Sequence, residues 1–527
     1  MTKTRRFSRR DFLKLSGAGA GTLLLGACGV SLPAPAGTPD PTVGVTPSPA
    51  SPSLKVELAA GRTTVPLLPG EETPVWKYQA TVQEGRQEQL QVLENTYLGP
   101  IFRVQRGQRI QVKLKNDLPD ETIIHWHGLR IPEEMDGQPR HAIAPGATFD
   151  YDFTVINRPG TYWFHPHPHQ LTGRQAYFGL AGLFIVSDEA EAALGLPAGE
   201  YDLPLIIQDR LFDATNRMVY MTSMMDQMTG FVGDTILVNG RPNAVIDVKA
   251  GAYRLRLLNG SNSRIYKLSW EDGSPLNIIG TDGGLLAAPV TRPYLMLAPG
   301  ERAELWVDFS AMQNPKLVSL AFDAGGERGM MGGVSNLPNG APFTVAGFQV
   351  GEAGEPVSPL PQQLLPVSGY SATDAVNRNR PRTFTLAMQG MTPTINGRTY
   401  EMDVVASDEI VRLGDLEIWE FYNQPGGMGG MGMGGGMMNM ALPHPMHLHG
   451  VQFQVIERNP DTGFSAQYDQ VSAGFVSEGW KDTVLVMPGE RVRILVRFED
   501  YAGTYLYHCH NLEHEDAGMM RNYRVEG

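Results

Sequence analysis

The side chains best able to do chemistry in this chain are crowded into four short stretches. They read His125-Trp126-His127-Gly128, His165-Pro166-His167, His444-Pro445-Met446-His447-Leu448-His449-Gly450, and His508-Cys509-His510 followed by His514 and Met519. A lone histidine usually needs nothing more than a hydrogen bond. Here, however, none of the twelve histidines lies between His169 and His444, and the remainder cluster. His-x-His on a strand puts both imidazoles on one face, because side chains alternate with period two. Imidazole suits copper, and chemistry with dioxygen needs a redox metal, which zinc is not. One thiolate, two imidazoles and a weak axial thioether form the blue-copper ligand set. Cys509, His514, Met519 and a more distant histidine match it.

Strands must position these groups. From about residue 53 the chain alternates apolar and polar residues between Gly/Pro/Asn/Asp turns, as in Arg109–Leu114 and Arg491–Val496. No long segment has a helical period. The chain also repeats itself. Gly107…Asn116, Gly251…Asn259 and Gly414…Asn423 each place a turn glycine, a strand and an asparagine. Pro145-Gly146…Phe153, Pro299-Gly300…Phe309 and Pro488-Gly489…Phe498 each follow with a Pro-Gly turn and a strand ending in Phe. The reading is all-β, with three related β-sandwiches at 53–190, 195–355 and 365–527. The middle one carries no histidine.

With 527 residues the chain is too long for one hydrophobic core, and 42% hydrophobic with 19% charged residues describes a globular protein. A formal net charge of −13 argues against a nucleic-acid partner and suits a cationic one, such as metal ions. The only two cysteines, Cys28 and Cys509, cannot build a disulfide framework, so each needs its own explanation. Ser8-Arg9-Arg10-Asp11-Phe12-Leu13-Lys14 resembles a twin-arginine export signal. The apolar stretch after it is short and Gly-rich for a membrane span. Leu25-Gly26-Ala27-Cys28 resembles a lipobox, which would make Cys28 the lipidated first residue after a signal peptide at 1–27. The Pro/Ser/Thr-rich residues 28–52 then read as a tether. The expected location is the periplasm or the outer face of the cell membrane.

In order and spacing, the four histidine groups resemble the copper-binding motifs of multicopper oxidases over nearly all of residues 53–527. His508–Met520 and Gly479-Trp480-Lys481-Asp482-Thr483 are most similar to bacterial three-domain cuprous oxidases and laccases. The resemblance implies three cupredoxin-like Greek-key domains, four copper ions, dioxygen as acceptor and water as product. It assigns type 1 copper to His444, Cys509 and His514 with Met519 axial. Type 2 copper falls to His125 and His447, and the type 3 pair to His127, His165, His167, His449, His508 and His510. It further implies that Asp136 and Glu515 move protons. His141 and His169 are left for the surface or for supporting contacts.

The expected reducing substrate is Cu(I), with a laccase acting on phenols or other metals as the alternative. Met428, Met431, Met433, Met437, Met438 and Met440 stand in a glycine chain that cannot pack as core, and thioether sulfur is a soft ligand for Cu(I). That loop runs into His444. Met221, Met224, Met225 and Met228 form a second group, which reads equally as a helical core stripe or as metal contacts. Leu442 stands where cuprous oxidases are expected to have a methionine. A copper-storage protein and a copper-free cell-division scaffold are the non-enzymatic alternatives, and the complete ligand set argues against the scaffold. For location, Cys28→Ala should move the protein from membranes into the soluble exported fraction. Changing both Arg9 and Arg10 to Lys should hold it in the cytoplasm. Cell fractionation checks both, and a soluble protein with Cys28 intact refutes the anchor.

Overall fold

The computed structural model describes residues 53–325, 335–425 and 442–527. Arg9, Arg10, Cys28 and the tether lie outside the described residues, as do Met428, Met431, Met433, Met437, Met438 and Met440. The described chain is built on strands, and its α-helices are short; Thr172–Tyr177 and Met224–Thr229 have six residues each. The all-β, cupredoxin-type reading holds.

Strands group into six sheets, two per successive third of the chain. The first of each pair repeats one pattern. Leu54–Ala60 runs parallel to Ile110–Asn116, Asp202–Ile207 to Arg254–Asn259, and Arg382–Leu386 to Trp419–Asn423. Each second partner then pairs antiparallel with a later strand: Thr148–Thr154, Arg302–Asp308 or Glu490–Arg497. Along Arg109–Asn116, burial alternates residue by residue, as a strand with one core face requires. Each third has its own apolar core, around Trp126, Leu305 and Trp419 respectively. Two further clusters weld the thirds together. One joins Tyr97 and Trp163 to Leu237 and Leu258, and the other joins Met296 and Phe322 to Phe475 and Leu485.

The repeated asparagine has a physical cause. Asn116, Asn259 and Asn423 are buried. Each side-chain amide donates to two main-chain carbonyls, those of Asp120 and Ile143, Arg264 and Leu297, and Leu442 and Val486. Each main-chain carbonyl accepts from the glycine of the Pro-Gly turn, Gly146, Gly300 or Gly489. The asparagine therefore ties the end of one strand to the turn that starts another and satisfies carbonyls that water cannot reach. In the third sandwich it fixes the carbonyl of Leu442, two residues before His444.

Asn259→Leu keeps the volume in the ligand-free middle sandwich and strands two buried acceptors. It should cost about 3 kcal/mol. A lower urea midpoint for the metal-free protein checks this, and a change below about 0.5 kcal/mol refutes it.

Candidate metal centre

Two strand pairs, one in each outer sandwich, carry the histidines. In the first, His125 lies directly opposite His165; in the third, His447 lies opposite His508 and Met446 opposite Cys509. Strand alternation does the rest. His508 and His510 face the first sandwich, while Cys509 between them packs into the apolar core beside Met519. The two faces meet. The His125 ring stacks on His449 at 3.6 Å and the His127 ring on His447 at 3.7 Å. Inward nitrogens converge: Nε2 of His125 and His447 at 3.3 Å, of His449 and His508 at 3.0 Å, and of His167 and His508 at 3.4 Å. His127 Nδ1 lies 3.4 Å from His165 Nε2, and the His510 ring stands 4.9 Å from that of His127. All eight residues predicted for the type 2 and type 3 coppers, His125, His127, His165, His167, His447, His449, His508 and His510, thus share one buried region. The type 1 group forms a second site, with Cys509 Sγ 3.4 Å from His444 Nδ1 and 3.7 Å from His514 Nδ1. Met519 is fully buried, and its carbonyl accepts from the Cys509 amide.

Most of these rings are anchored from behind. His125 Nδ1 donates to the Asp136 carbonyl, His165 Nδ1 to that of Pro166, His447 Nδ1 to that of Asp482 and His508 Nδ1 to that of Cys509. His449 Nδ1 donates to Asp136 Oδ2 at 2.8 Å, which leaves Nε2 for the centre. His127 is reversed: Nε2 donates to Asp482 Oδ1 at 3.0 Å and Nδ1 faces inward. In the second site His514 Nε2 donates to the Met228 carbonyl at 2.9 Å and turns Nδ1 toward Cys509. Such outer hydrogen bonds fix tautomer and ring orientation in metal sites.

Electrostatics agree with a metal centre. Burial holds His127, His165, His167, His444, His449 and His510 well below the usual imidazole range, and His447 and His514 at about 4. The rings are therefore neutral and ligand-competent. With the proton of each anchored ring pointing outward, the facing nitrogens carry only lone pairs, which repel unless a cation lies between them. Both nitrogens of His510 are buried without a hydrogen-bond partner. Burial pushes the Cys509 thiol up, so a bound metal is what would hold it as thiolate. Eight imidazoles in one group, and two imidazoles with a thiol in the other, fit copper.

Asp136 and Glu515 both sit at the larger group. Asp136 has an Oδ1 without a hydrogen-bond partner, 3.4 Å from His125 Nδ1. Glu515 lies 3.1 Å from His508 Nδ1 and 3.5 Å from His167 Nε2. Burial raises its carboxyl, while its contacts with these two histidines lower it below the usual carboxylate range. His141 and His169 stay outside both groups, each part-buried against an aromatic ring, Phe149 and Tyr400 respectively.

The middle sandwich does more than keep register. The methionine segment is no core stripe: of the three methionines in the helix Met224–Thr229 only Met228 is packed inside, and Met224 is 69% exposed. This helix lies over the second site through the Met228 carbonyl, and His514 is completely buried beneath it. Glu513 clasps the segment at both ends, accepting from the Tyr220 hydroxyl and the Phe231 amide at 3.0 Å each. Beside it opens a cleft of about 600 Å³ lined by Met221, Tyr220, Met391, Arg174, Glu513 and Asp516. Sequence reasoning gave no role to Glu513, Asp482 or Arg302. Asp482 was visible only as part of a motif. The other two act through contacts between sandwiches, which leave no spacing signal.

Residues 75–191 and 375–527 match sequence profiles described as multicopper oxidase. The chain is 33% identical to multicopper oxidase mco of Staphylococcus haemolyticus, over 81% of this chain and 82% of that protein. It is 32% identical to a laccase of Bacillus stratosphericus, over 80% of this chain and 88% of that one. It is also 31% identical to cell division protein FtsP of Photorhabdus laumondii, over 81% and 83%. The crystal structure of McoA multicopper oxidase from Aquifex aeolicus superposes with a TM-score of 0.73 at 36% identity, covering 90% of this chain and 96% of that one.

Proposed function

We propose that this chain, which belongs to the multicopper oxidase family and is a copper-dependent oxidoreductase with dioxygen as acceptor, takes its electrons from Cu(I), as an exported protein serving copper tolerance. In this reading four copper ions are held, one by His444, Cys509, His514 and Met519, and three by the eight inward-facing histidines. Bound copper supplies one-electron transfer at the first group and the binding and reduction of dioxygen at the second. The peptide links from Cys509 to His508 and His510 are a short covalent bridge between the two groups.

Reduction of dioxygen to water consumes protons, and two carboxyl groups reach the histidines that would hold the oxygen-reducing copper. Asp136 orients His449 and His125, and its free Oδ1 can carry a proton. Glu515 lies against His508 and His167, and its neighbour Asp516 lines the open cleft. Asp136→Asn and Glu515→Gln should each slow reoxidation by dioxygen about 100-fold, within the usual range for general acid catalysis, and leave reduction by substrate nearly unchanged. Stopped-flow absorbance follows the two halves separately, and equal slowing of both removes these residues from proton delivery.

The observation that carries the Cu(I) reading is the cover over His514. Its ring edge is sealed by the Met228 carbonyl, so a phenol has no imidazole to touch. The adjoining cleft instead carries the thioethers of Met221 and Met391. Met221 holds φ +53°, a conformation that side-chain-bearing residues reach only at a cost and that is common at functional sites. The methionines of 426–440 enter the chain just before His444. Thioethers are soft donors that discriminate for Cu(I). The relatives named laccase favour phenols as a second reading, whereas the intact donor set supports an enzyme over a copper-free scaffold.

Deletion of 426–440, and separately Met221→Leu with Met391→Leu, should lower kcat/KM for Cu(I) by about tenfold, the worth of about 1.4 kcal/mol of lost binding. Oxidation of dimethoxyphenol should stay level or rise. Oxygen uptake with each substrate checks this, and the thiolate-to-copper absorption reports that the site survives. Spared Cu(I) oxidation with impaired phenol oxidation would transfer the assignment to laccase.

A further inference from the structure

We infer that Arg302, in the middle sandwich that donates no histidine, is a positioning residue for the oxygen-reducing cluster and acts through Asp482. The inference rests on the reading that His127 and His447 hold copper, and is separate from the choice of reducing substrate.

Arg302 follows the Pro299-Gly300 turn and is fully buried. All its N–H directions are used. Nε donates to the Thr161 carbonyl at 3.0 Å, Nη1 to the Gly300 carbonyl at 2.8 Å and Nη2 to the Asp282 carbonyl at 3.0 Å. Nη1 and Nη2 also grip the Asp482 carboxylate as a fork, at 2.8 Å to Oδ1 and 2.5 Å to Oδ2. One guanidinium therefore touches all three sandwiches. Thr161 lies on the strand Gly160–Pro166 that carries His165, and Asp482 leads into the strand paired with His444–His447.

Asp482 is where the grip reaches the cluster. Its Oδ1 accepts from His127 Nε2 at 3.0 Å and from the Thr483 hydroxyl at 2.9 Å, and its carbonyl accepts from His447 Nδ1 at 2.8 Å. One residue thus orients a ring from each outer sandwich, and those two rings stack within 10° of parallel. A carboxylate can rotate about its Cα–Cβ–Cγ bonds and lose His127. The planar fork of arginine fixes both oxygens at once, whereas a lysine ammonium grips as a point charge. Space is as tight as the bonding. Gly128, just after His127, has φ +85°, and a Cβ there would strike both the Asp482 carboxylate and the Arg302 guanidinium. A Cβ on Gly300 would meet the His510 ring at 3.0 Å. The turn that carries Arg302 is therefore itself a wall of the cluster.

A merely structural arginine would, when removed, loosen the whole protein and both copper groups. A positioning arginine acts on one group. In copper-loaded full-length protein, Arg302→Met should weaken retention of the cluster copper against a chelator by about 10–100-fold, the usual effect of losing a partner behind a metal ligand. The type 2 electron paramagnetic resonance signal reads that loss, while the thiolate absorption of the Cys509 site should stay unchanged. Arg302→Lys should restore part of the retention. Asp482→Asn should weaken it similarly, and the double variant should be no worse than Asp482→Asn alone, because the two act in series. Loss of both copper groups together, retention equal to the parent, or additive effects of the two substitutions would overturn the inference. Should Arg302→Met not accumulate folded, Arg302→Gln and Arg302→Lys carry the same comparison. A parent protein with no type 2 signal would instead refute the reading of the histidines as copper ligands.

Discussion

An imidazole can give a metal only the nitrogen that does not carry its proton, so a buried histidine becomes a usable ligand when something behind it takes that proton's hydrogen bond. The larger centre is organised around this requirement. Carbonyls of Asp136, Pro166, Asp482 and Cys509, and carboxylates of Asp136 and Asp482, each hold the outer nitrogen of a ring. The carbonyls lie in the same sandwich as the rings they hold, while the carboxylates of Asp136 and Asp482 reach His449 and His127 from the other outer sandwich. Forming and docking the two outer sandwiches and setting the tautomers are therefore one event. His127 shows the rule by exception. Its acceptor lies on the opposite sandwich, behind Nε2, so its inward atom is Nδ1.

Burial on this scale leaves charges that must be balanced. Asp482, Asp282 and Glu301 lie inside with Arg302 and Lys481. Lys481 bridges Asp282 at 2.9 Å and Glu301 at 3.2 Å. Burial pushes Asp482 up, but the Arg302 charge beside it and His127 bring it well below the usual carboxylate range, so it remains an acceptor. Such a network adds little net stability over an apolar core of the same shape, because desolvation offsets attraction. Its value lies in direction: a carboxylate held by a fork points one way. This gives a physical reason for three sandwiches in a chain whose ligands come from two.

Much of this was legible in the sequence because strand geometry makes it local. His-x-His has one meaning on a strand, and Cys509, His514 and Met519 are close enough in sequence that one strand end, the short helix Leu512–Asp516 and the turn after it bring them together. The repeats were legible for the same reason: each asparagine serves its own sandwich through carbonyls within 63 residues of it. What could not be read crosses between sandwiches or uses the main chain. Arg302 meets Asp482 across 180 positions, and Met228 meets His514 across 286 through a carbonyl that any residue would supply. Four methionines at helical spacing read equally as a packed stripe or as metal contacts. The segment instead begins with a Ser223–Asp226 capping box and turns Met224 to solvent, because Gly230 ends the helix after six residues. Polarity patterns cannot foresee a helix so short.

The two donor groups end with opposite surroundings, and the difference follows from what each must exchange. The histidine cluster is walled by all three sandwiches, with an ionic network behind it and carboxyl groups at its edge. Dioxygen and protons are small, so a closed, preorganised site can admit them while it keeps larger molecules out. In the proposed reading the Cys509 site exchanges electrons with a reductant outside the protein, so its cover has to be thin. It is a helix of six residues. A single peptide carbonyl stands between His514 and the outer layer, and Glu513, with burial pushing its carboxyl up to about 7, clasps the segment at Tyr220 and Phe231. That cover excludes direct contact with the imidazole and keeps the distance to the cleft short. A reductant that uses this route would donate from the cleft and not by touching the imidazole. In the proposed reading that reductant is a soft cation, received in the cleft by the thioethers of Met221 and Met391 beside Arg174, Tyr220, Glu513 and Asp516.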